Sequence, residues 1–175
     1  SDTAEIGFDE VRVPVTARVG AEGAGFVTVM RNFQTERLAL AAYGAATAEI
    51  ALEEAISYAR ERQAFGKPLT GFQVTRHKLA DMATELEAAR LMVHRAAASL
   101  DAGDPNATMY ASMAKRFATD VGFKVCNDAL QLHGGYGYIK EYPIERHLRD
   151  VRVHQILEGT NEIMRLIISR KLLDG

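Results

Sequence analysis

Four short stretches carry side chains whose types and spacing suit chemistry. They are TERLALA with Glu36 and Arg37, RERQAFGKPLTGFQ with Arg62, Phe65 and Gln73, QLHGGYGY with Gln131 and Gly135, and ILEGTNEIMR with Glu158, Gly159, Thr160 and Glu162. Glu158 is the oddest of these. It follows the apolar pair Ile156 and Leu157, precedes a glycine, and stands just before a Thr-Asn pair of the kind that caps a helix. A carboxyl beside apolar neighbours has its charged form disfavoured, which raises its pKa towards the range useful for general base work. Gly159 keeps the backbone uncrowded where a ligand would approach.

Each stretch also has a plainer reading. Arg62 to Lys67 fits a helix C-terminus, where a cation suits the dipole and Gly66 ends the helix. Gly134, Gly135 and Gly137 form a turn, and without a preceding strand they are weak support for a nucleotide loop. Glu36 beside Arg37 reads as a solvated charge pair, and the alternating charges of ERHLRDVR read as a salt-bridged face. His147 and His154 lack a close third partner for a metal, and no serine stands in a nucleophile elbow. Cys126, the one cysteine, falls in a helical stretch as core packing; it allows no internal disulfide and fits a reducing compartment.

The elements that must position these groups are mostly helices. EIGFDEVRVPV alternates through Ile6, Phe8, Val11, Val13 and Val15, which predicts a strand that Pro14 confines to an edge. From Phe26 to about Arg62 the pattern is helical, long enough to span roughly 55 Å. QAFGKPLTG breaks that helix. Leu79, Met82, Leu86, Ala89, Val93, Ala96 and Leu100 then alternate spacings of three and four, the seam of a helix packed lengthwise on another. Asp104-Pro105 predicts an N-cap and first-turn proline for a third helix, in which Met109, Met113, Phe117 and Val121 recur at spacing four and which runs on to about Leu132. Pro143 starts a short fourth helix, and the helix after Thr160 presents Ile163, Leu166 and Ile167 to a core. Long helices joined by short loops predict an all-α, antiparallel four-helix bundle with short C-terminal helices and a short N-terminal β remnant.

With 47% hydrophobic and 25% charged residues the composition is that of a globular protein. A net charge of −2 gives no electrostatic case for nucleic acid or an anionic membrane, and no run approaches the length of a membrane span. The chain opens on Ser1-Asp2-Thr3 with no initiating Met, which suggests a piece of a longer protein.

Together, RQAFGKPL with FQ after it, QLHGGYGY with EYP after it, and LEGTNEIMR resemble the C-terminal half of the acyl-CoA dehydrogenase family. GFDEVRVP resembles the last strand of that family's middle β-domain, so the resemblance implies a boundary between residues 1–22, a β-domain end and linker, and 23–175, the helical bundle. It implies FAD-dependent introduction of a double bond between the α and β carbons of an acyl-CoA thioester. A carboxylate takes the α-proton while the β-hydrogen leaves as hydride to flavin N5. The family's base falls on Glu158, and its own N–H would hold the thioester carbonyl oxygen. In the isovaleryl and long-chain branches the base comes from the first bundle helix, at the position of Glu36, so this chain carries an acid at both places. Two such carboxylates facing one substrate repel, push one pKa up and couple, and Arg37 counters that repulsion.

Arg37, Leu157 and Gly159 match substrate-side positions, and Arg62 resembles the residue that pairs with the FAD pyrophosphate. Phe65, Gln73, Gln131 and Gly135 match flavin-adenine contacts, and Thr160 and Glu162 match positions on the other side of the cofactor, where many relatives carry glutamine in place of Glu162. The resemblance also implies a homo-oligomer, a dimer or tetramer with FAD across the subunit interface. Electron-transfer flavoprotein would be the partner, in a bacterial cytoplasm or a mitochondrial matrix. An acyl-CoA oxidase, or a catalytically silent interaction or DNA-repair-associated module, is the competing expectation. These 175 residues alone are expected to have little or no activity.

Overall fold

A computed structural model describes residues 4–174. The structure is 75% helical and falls into two compact units, residues 1–32 and 33–175. In the first unit the expected strand does not form. Residues 4–14 are irregular, a single 3-10 turn follows at Val15–Ala17, and Ile6, Phe8, Val11, Val13 and Val15 are all exposed. Alternation makes a strand only where a ladder partner and an apolar face await it, and among the described residues neither is present.

The helices are α1 (Gly25–Glu61), α2 (Gln73–Asp101), α3 (Ala107–His133), α4 (Ile144–His154) and α5 (Asn161–Leu173). Both α4 and α5 pack on α3, which also lies along α2. The core is built from small residues. Ala41, Ala45, Ala48, Ala51 and Ala55 on α1 meet Ala114, Ala118, Val121, Val125 and Ala129 on α3, with Met82, Leu86 and Ala89 from α2. Their spacing of three and four gives each helix one stripe, and the lack of bulk lets the axes approach closely. At the tightest point a Cβ on Gly44 would stand 2.9 Å from the carbonyl oxygen of Ala118, and one on Gly122 would stand 2.8 Å from that of Gly44.

The inward face of α3 is set by its small residues. Met109, Met113 and Phe117 are only partly buried, while Ala111, Ala114, Lys115 and Ala118 are fully buried. Spacing-four methionines and the alanine register both fit a helix; close packing against α1 selects the smaller side chains. In α5 the buried residues are Asn161 and Met164, whereas Ile163 and Leu166 are exposed and Ile167 is intermediate.

Connections are short. Gln63–Ala64 (β1) and Lys67–Pro68 (β2) pair antiparallel as Gln63↔Pro68 and Ala64↔Lys67. Phe65 and Gly66 turn between them at φ 50° and 80°, the left-handed pair a type I′ hairpin demands. The third helix begins two residues later than Asp104-Pro105 suggests. The Asp104 carboxylate accepts from the Asn106 N–H at 2.7 Å, closing an Asx turn instead of capping the first helical turn. Pro143 does precede α4, and the Thr160 hydroxyl accepts from the Ile163 N–H at 3.4 Å as the N-cap of α5. On α4 the expected charged face is thin: Arg149 only reaches Glu145, at 4.0 Å.

Candidate active site

The link from α4 to α5 makes its reversal at Glu158 and Gly159, with φ of 55° and 92°. A left-handed conformation is ordinary for glycine but strained for glutamate. Gly159 is further constrained, because a Cβ there would come within 2.9 Å of Met164 Cε. Two cations hold the turn. Arg37, 6% exposed, donates from Nε to the Glu158 carbonyl oxygen at 3.1 Å. Lys115, 0% exposed, donates from Nζ to the Gly159 carbonyl oxygen at 2.8 Å and to Asn161 Oδ1 at 3.0 Å. The Asn161 amide donates in turn to Asp120 Oδ1 at 2.8 Å and to the Thr119 hydroxyl at 3.0 Å.

The Glu158 carboxyl therefore sits at a meeting of α1, α3 and α5. Burial pushes its pKa up first, then a hydrogen bond with Glu36 and that residue's charge. Arg37 and Lys115 pull it back down. Glu36 and Glu158, 122 places apart in the chain, are thus hydrogen-bonded partners, both half-buried. Ile156 and Leu157, expected to supply the apolar surroundings, are 51% and 43% exposed. The desolvation comes instead from the helices behind the turn. Burial also lowers the Arg37 pKa, while Glu158 raises it.

At the other end of α1 lies a cleft of about 430 Å³ lined by Tyr58, Arg62, Leu69, Leu132, His133, Gly135 and Tyr136, among others. Arg62 is over the Tyr136 ring at 5.5 Å from its centroid, and Tyr58 stacks on His133 at 4.2 Å. Among the described residues Arg62 has no carboxylate partner in an ion pair. A Cβ on Gly135 would meet nothing within 4 Å. Phe65 projects from the hairpin 97% exposed, in ring contact with Phe72. Gln73 and Gln131 are exposed on α2 and α3, outside the cleft lining. Thr160 and Glu162 line a separate hollow of about 200 Å³ with Asp120, Arg152 and Arg165. So the structure joins Arg62 to Gly135, and Thr160 to Glu162, but does not gather all of the expected cofactor-side residues into one pocket.

The family model "Acyl-CoA dehydrogenase, C-terminal domain" matches residues 23–173. The chain belongs to the acyl-CoA dehydrogenase family. It is 50% identical over 165 residues to the mitochondrial isobutyryl-CoA dehydrogenase of Dictyostelium discoideum, covering 94% of this chain and 40% of that protein. It is 46% identical over 171 residues to the caffeyl-CoA reductase-Etf complex subunit CarC of Acetobacterium woodii, covering 98% and 45%. The solved butyryl-CoA dehydrogenase of Megasphaera elsdenii superposes with a TM-score of 0.91 at 44% identity, covering 95% of this chain and 43% of that one. The chain thus spans less than half the length of these relatives.

Sequence reasoning missed the polar core behind the Glu158 turn: Lys115, Thr119, Asp120 and Asn161. A signal was available in YASMAKRFATD, where Lys115 falls one place after Ala114 and four after Ala111, on the stripe of small residues that must face inward.

Proposed function

We propose that the full-length protein is an FAD-dependent acyl-CoA dehydrogenase in which Glu158 takes the α-proton of the thioester. The observation that carries this reading is the Glu158 carboxyl itself. Its pKa is raised from the ordinary carboxylate value by burial and by Glu36, while its backbone is held in the left-handed turn. An α-proton of a thioester is a weak acid, and a base with a raised pKa matches it better than an ordinary carboxylate. Among the described residues the Glu158 N–H has no hydrogen-bond partner, so it can donate to the thioester carbonyl oxygen as negative charge builds there. Thr160 opens α5 beside it, and the helix N-terminus adds favourable partial positive charge. Arg37 and Leu157 flank the turn as the substrate-side residues, with Gly159 allowing the left-handed turn to pack against Met164.

The residues fit FAD by the chemistry of their donors. Arg62 offers a guanidinium fork with no carboxylate ion-pair partner among the described residues, suited to phosphate oxygens and next to an uncrowded Gly135. Phe65, Gln73 and Gln131 remain exposed for flavin-adenine contacts, with Thr160 and Glu162 on the other side, which accords with a cofactor shared between subunits of a dimer or tetramer. FAD would supply the acceptor for the β-hydride. Electron-transfer flavoprotein is the acceptor partner we propose, and residues 1–22 are the end of a preceding β-domain. A reducing compartment, the cytoplasm of a bacterium or a mitochondrial matrix, suits the free Cys126.

The test is anaerobic bleaching of the flavin by acyl-CoA in the full-length enzyme. Glu158→Gln is expected to slow it by ~10²–10⁴-fold, the usual loss for a general base, and Glu36→Gln far less. If only the Glu36 change abolishes reduction, the base is Glu36 and this assignment is wrong.

A further inference from the structure

Lys115 is the bulkiest of the fully buried side chains, and a buried ammonium is costly unless its charge is used. Among the described residues it forms no ion pair. Its hydrogen bonds go to the Gly159 carbonyl oxygen and to Asn161 Oδ1, on either side of the Thr160 cap. Glu158, one residue before Gly159, has its carbonyl oxygen held by Arg37 from the opposite helix. Two successive carbonyls, those of Glu158 and Gly159, are therefore each gripped by a different buried cation, one from α1 and one from α3. A methionine would fill the same volume without the charge, so packing alone does not explain a lysine here.

We propose that Lys115 is a positioning residue for Glu158: its buried ammonium, bound to the Gly159 carbonyl and to Asn161, locks the strained turn that aims the carboxyl and supplies positive charge behind it. The proposal rests on Glu158 being the base. The groups facing Lys115 are Asp120 on its own helix, Arg37 from α1, Glu158 from the turn, Glu162 from α5 and His154 from α4. Burial brings the Lys115 pKa down to about 8. Its positive charge lowers that of Glu158, so losing it must raise the Glu158 pKa.

The variants are Lys115→Met, which removes charge and donors, and Lys115→Gln, which keeps a donor without the charge, both in the full-length enzyme. Hydrogen exchange by mass spectrometry across residues 155–162 follows the turn, since the Asn161 N–H donates to the Gln155 carbonyl at 3.0 Å. In Lys115→Met we expect protection there to fall at least tenfold while the rest of α3 keeps its own, and Lys115→Gln to lie between. With bound FAD and substrate KM within about twofold of wild type, flavin reduction should slow at least tenfold. The acid limb of its pH profile should move upward in both variants. Unchanged protection, or unchanged rate and limb in a folded, FAD-loaded variant, overturns the proposal. Failure of both variants to fold also overturns it, because Lys115 is then a core-stability residue. A wild-type enzyme that does not bleach with acyl-CoA sinks the dehydrogenase reading instead, and the exchange measurement still decides the positioning role.

Discussion

Gly44→Ala would measure how tightly α1 and α3 cross, and what that crossing does for the site. A Cβ at position 44 stands 2.9 Å from the Ala118 carbonyl oxygen, 3.2 Å from its carbon and 3.3 Å from Thr119 Cα. These are backbone atoms of a neighbouring helix, so no side chain can rotate away and the axes must part. Overpacking of this kind costs ~1–3 kcal/mol, and a rigid obstacle belongs in the upper half of that range. Alanine's better helix propensity returns ~1 kcal/mol, leaving a net loss of about 1–2 kcal/mol. For a chain of this length each kcal/mol moves Tm by about 2–4 °C, so a fall of roughly 2–8 °C follows. Arg37 lies two turns before Gly44, and Lys115 one turn before Ala118, so parting the helices also loosens the grip on the Glu158 and Gly159 carbonyls. Thermal and urea unfolding make the measurement, with Gly25→Ala as the control, since its Cβ meets nothing within 4 Å. Gly122→Ala presses on the same contact, and the double variant should lose less than the sum, because the helices part only once. A neutral or stabilising Gly44→Ala would refute the reasoning: helix propensity would then outweigh a contact too loose to matter.

On the proposed mechanism Glu158 must be unprotonated to act, so the rate of flavin reduction by substrate in the full-length enzyme should fall as pH drops through a pKa above the ordinary carboxylate value of 4.5. Glu36→Gln should move that limb downward by removing the facing charge; an upward move would contradict the pairing. The same shift has a stability sign: the folded chain holds the Glu158 proton more tightly than the unfolded one, so this contribution is full at low pH and is lost as pH rises through the raised value. Urea unfolding of wild type and Glu158→Gln across that window should diverge accordingly. Cys126, fully buried with its thiol pushed up to about 12, should resist maleimide at pH 8 in the folded protein and react at once in denaturant. Rapid native labelling would mean the α3 core opens far more often than its packing allows.

The long helices were legible because their apolar spacing of three and four is a direct imprint of the helical repeat, and the Thr160 cap because its hydroxyl acts locally. The pairing of Glu36 with Glu158 was legible only through the family resemblance, since nothing local links residues on α1 and after α4. What stayed hidden depends on partners elsewhere in the chain. Residues 6–15 alternate like a strand, but alternation does not report whether a ladder partner exists. The Phe65-Gly66 hairpin lacks the Asn or Asp that normally announces a type I′ turn. Asp104 can cap a helix or close an Asx turn, and only the following backbone decides which. Lys115 falls on the small-residue stripe of α3, but its polar partners, the Gly159 carbonyl and the Asn161 amide, lie more than forty residues on and leave no local mark.

The convergence of Glu36 and Glu158 has a consequence for how such an enzyme can change. On the proposed mechanism the proton acceptor has an address in space rather than in the chain, and two separate codons can deliver a carboxyl to it. Loss of Glu158 would leave the Glu36 carboxyl beside the same point, so a chain without the proposed base still carries an acid there, slow but open to later refinement. A lineage could hand the role from the turn to the helix in two single steps without ever passing through a chain that has no acid there.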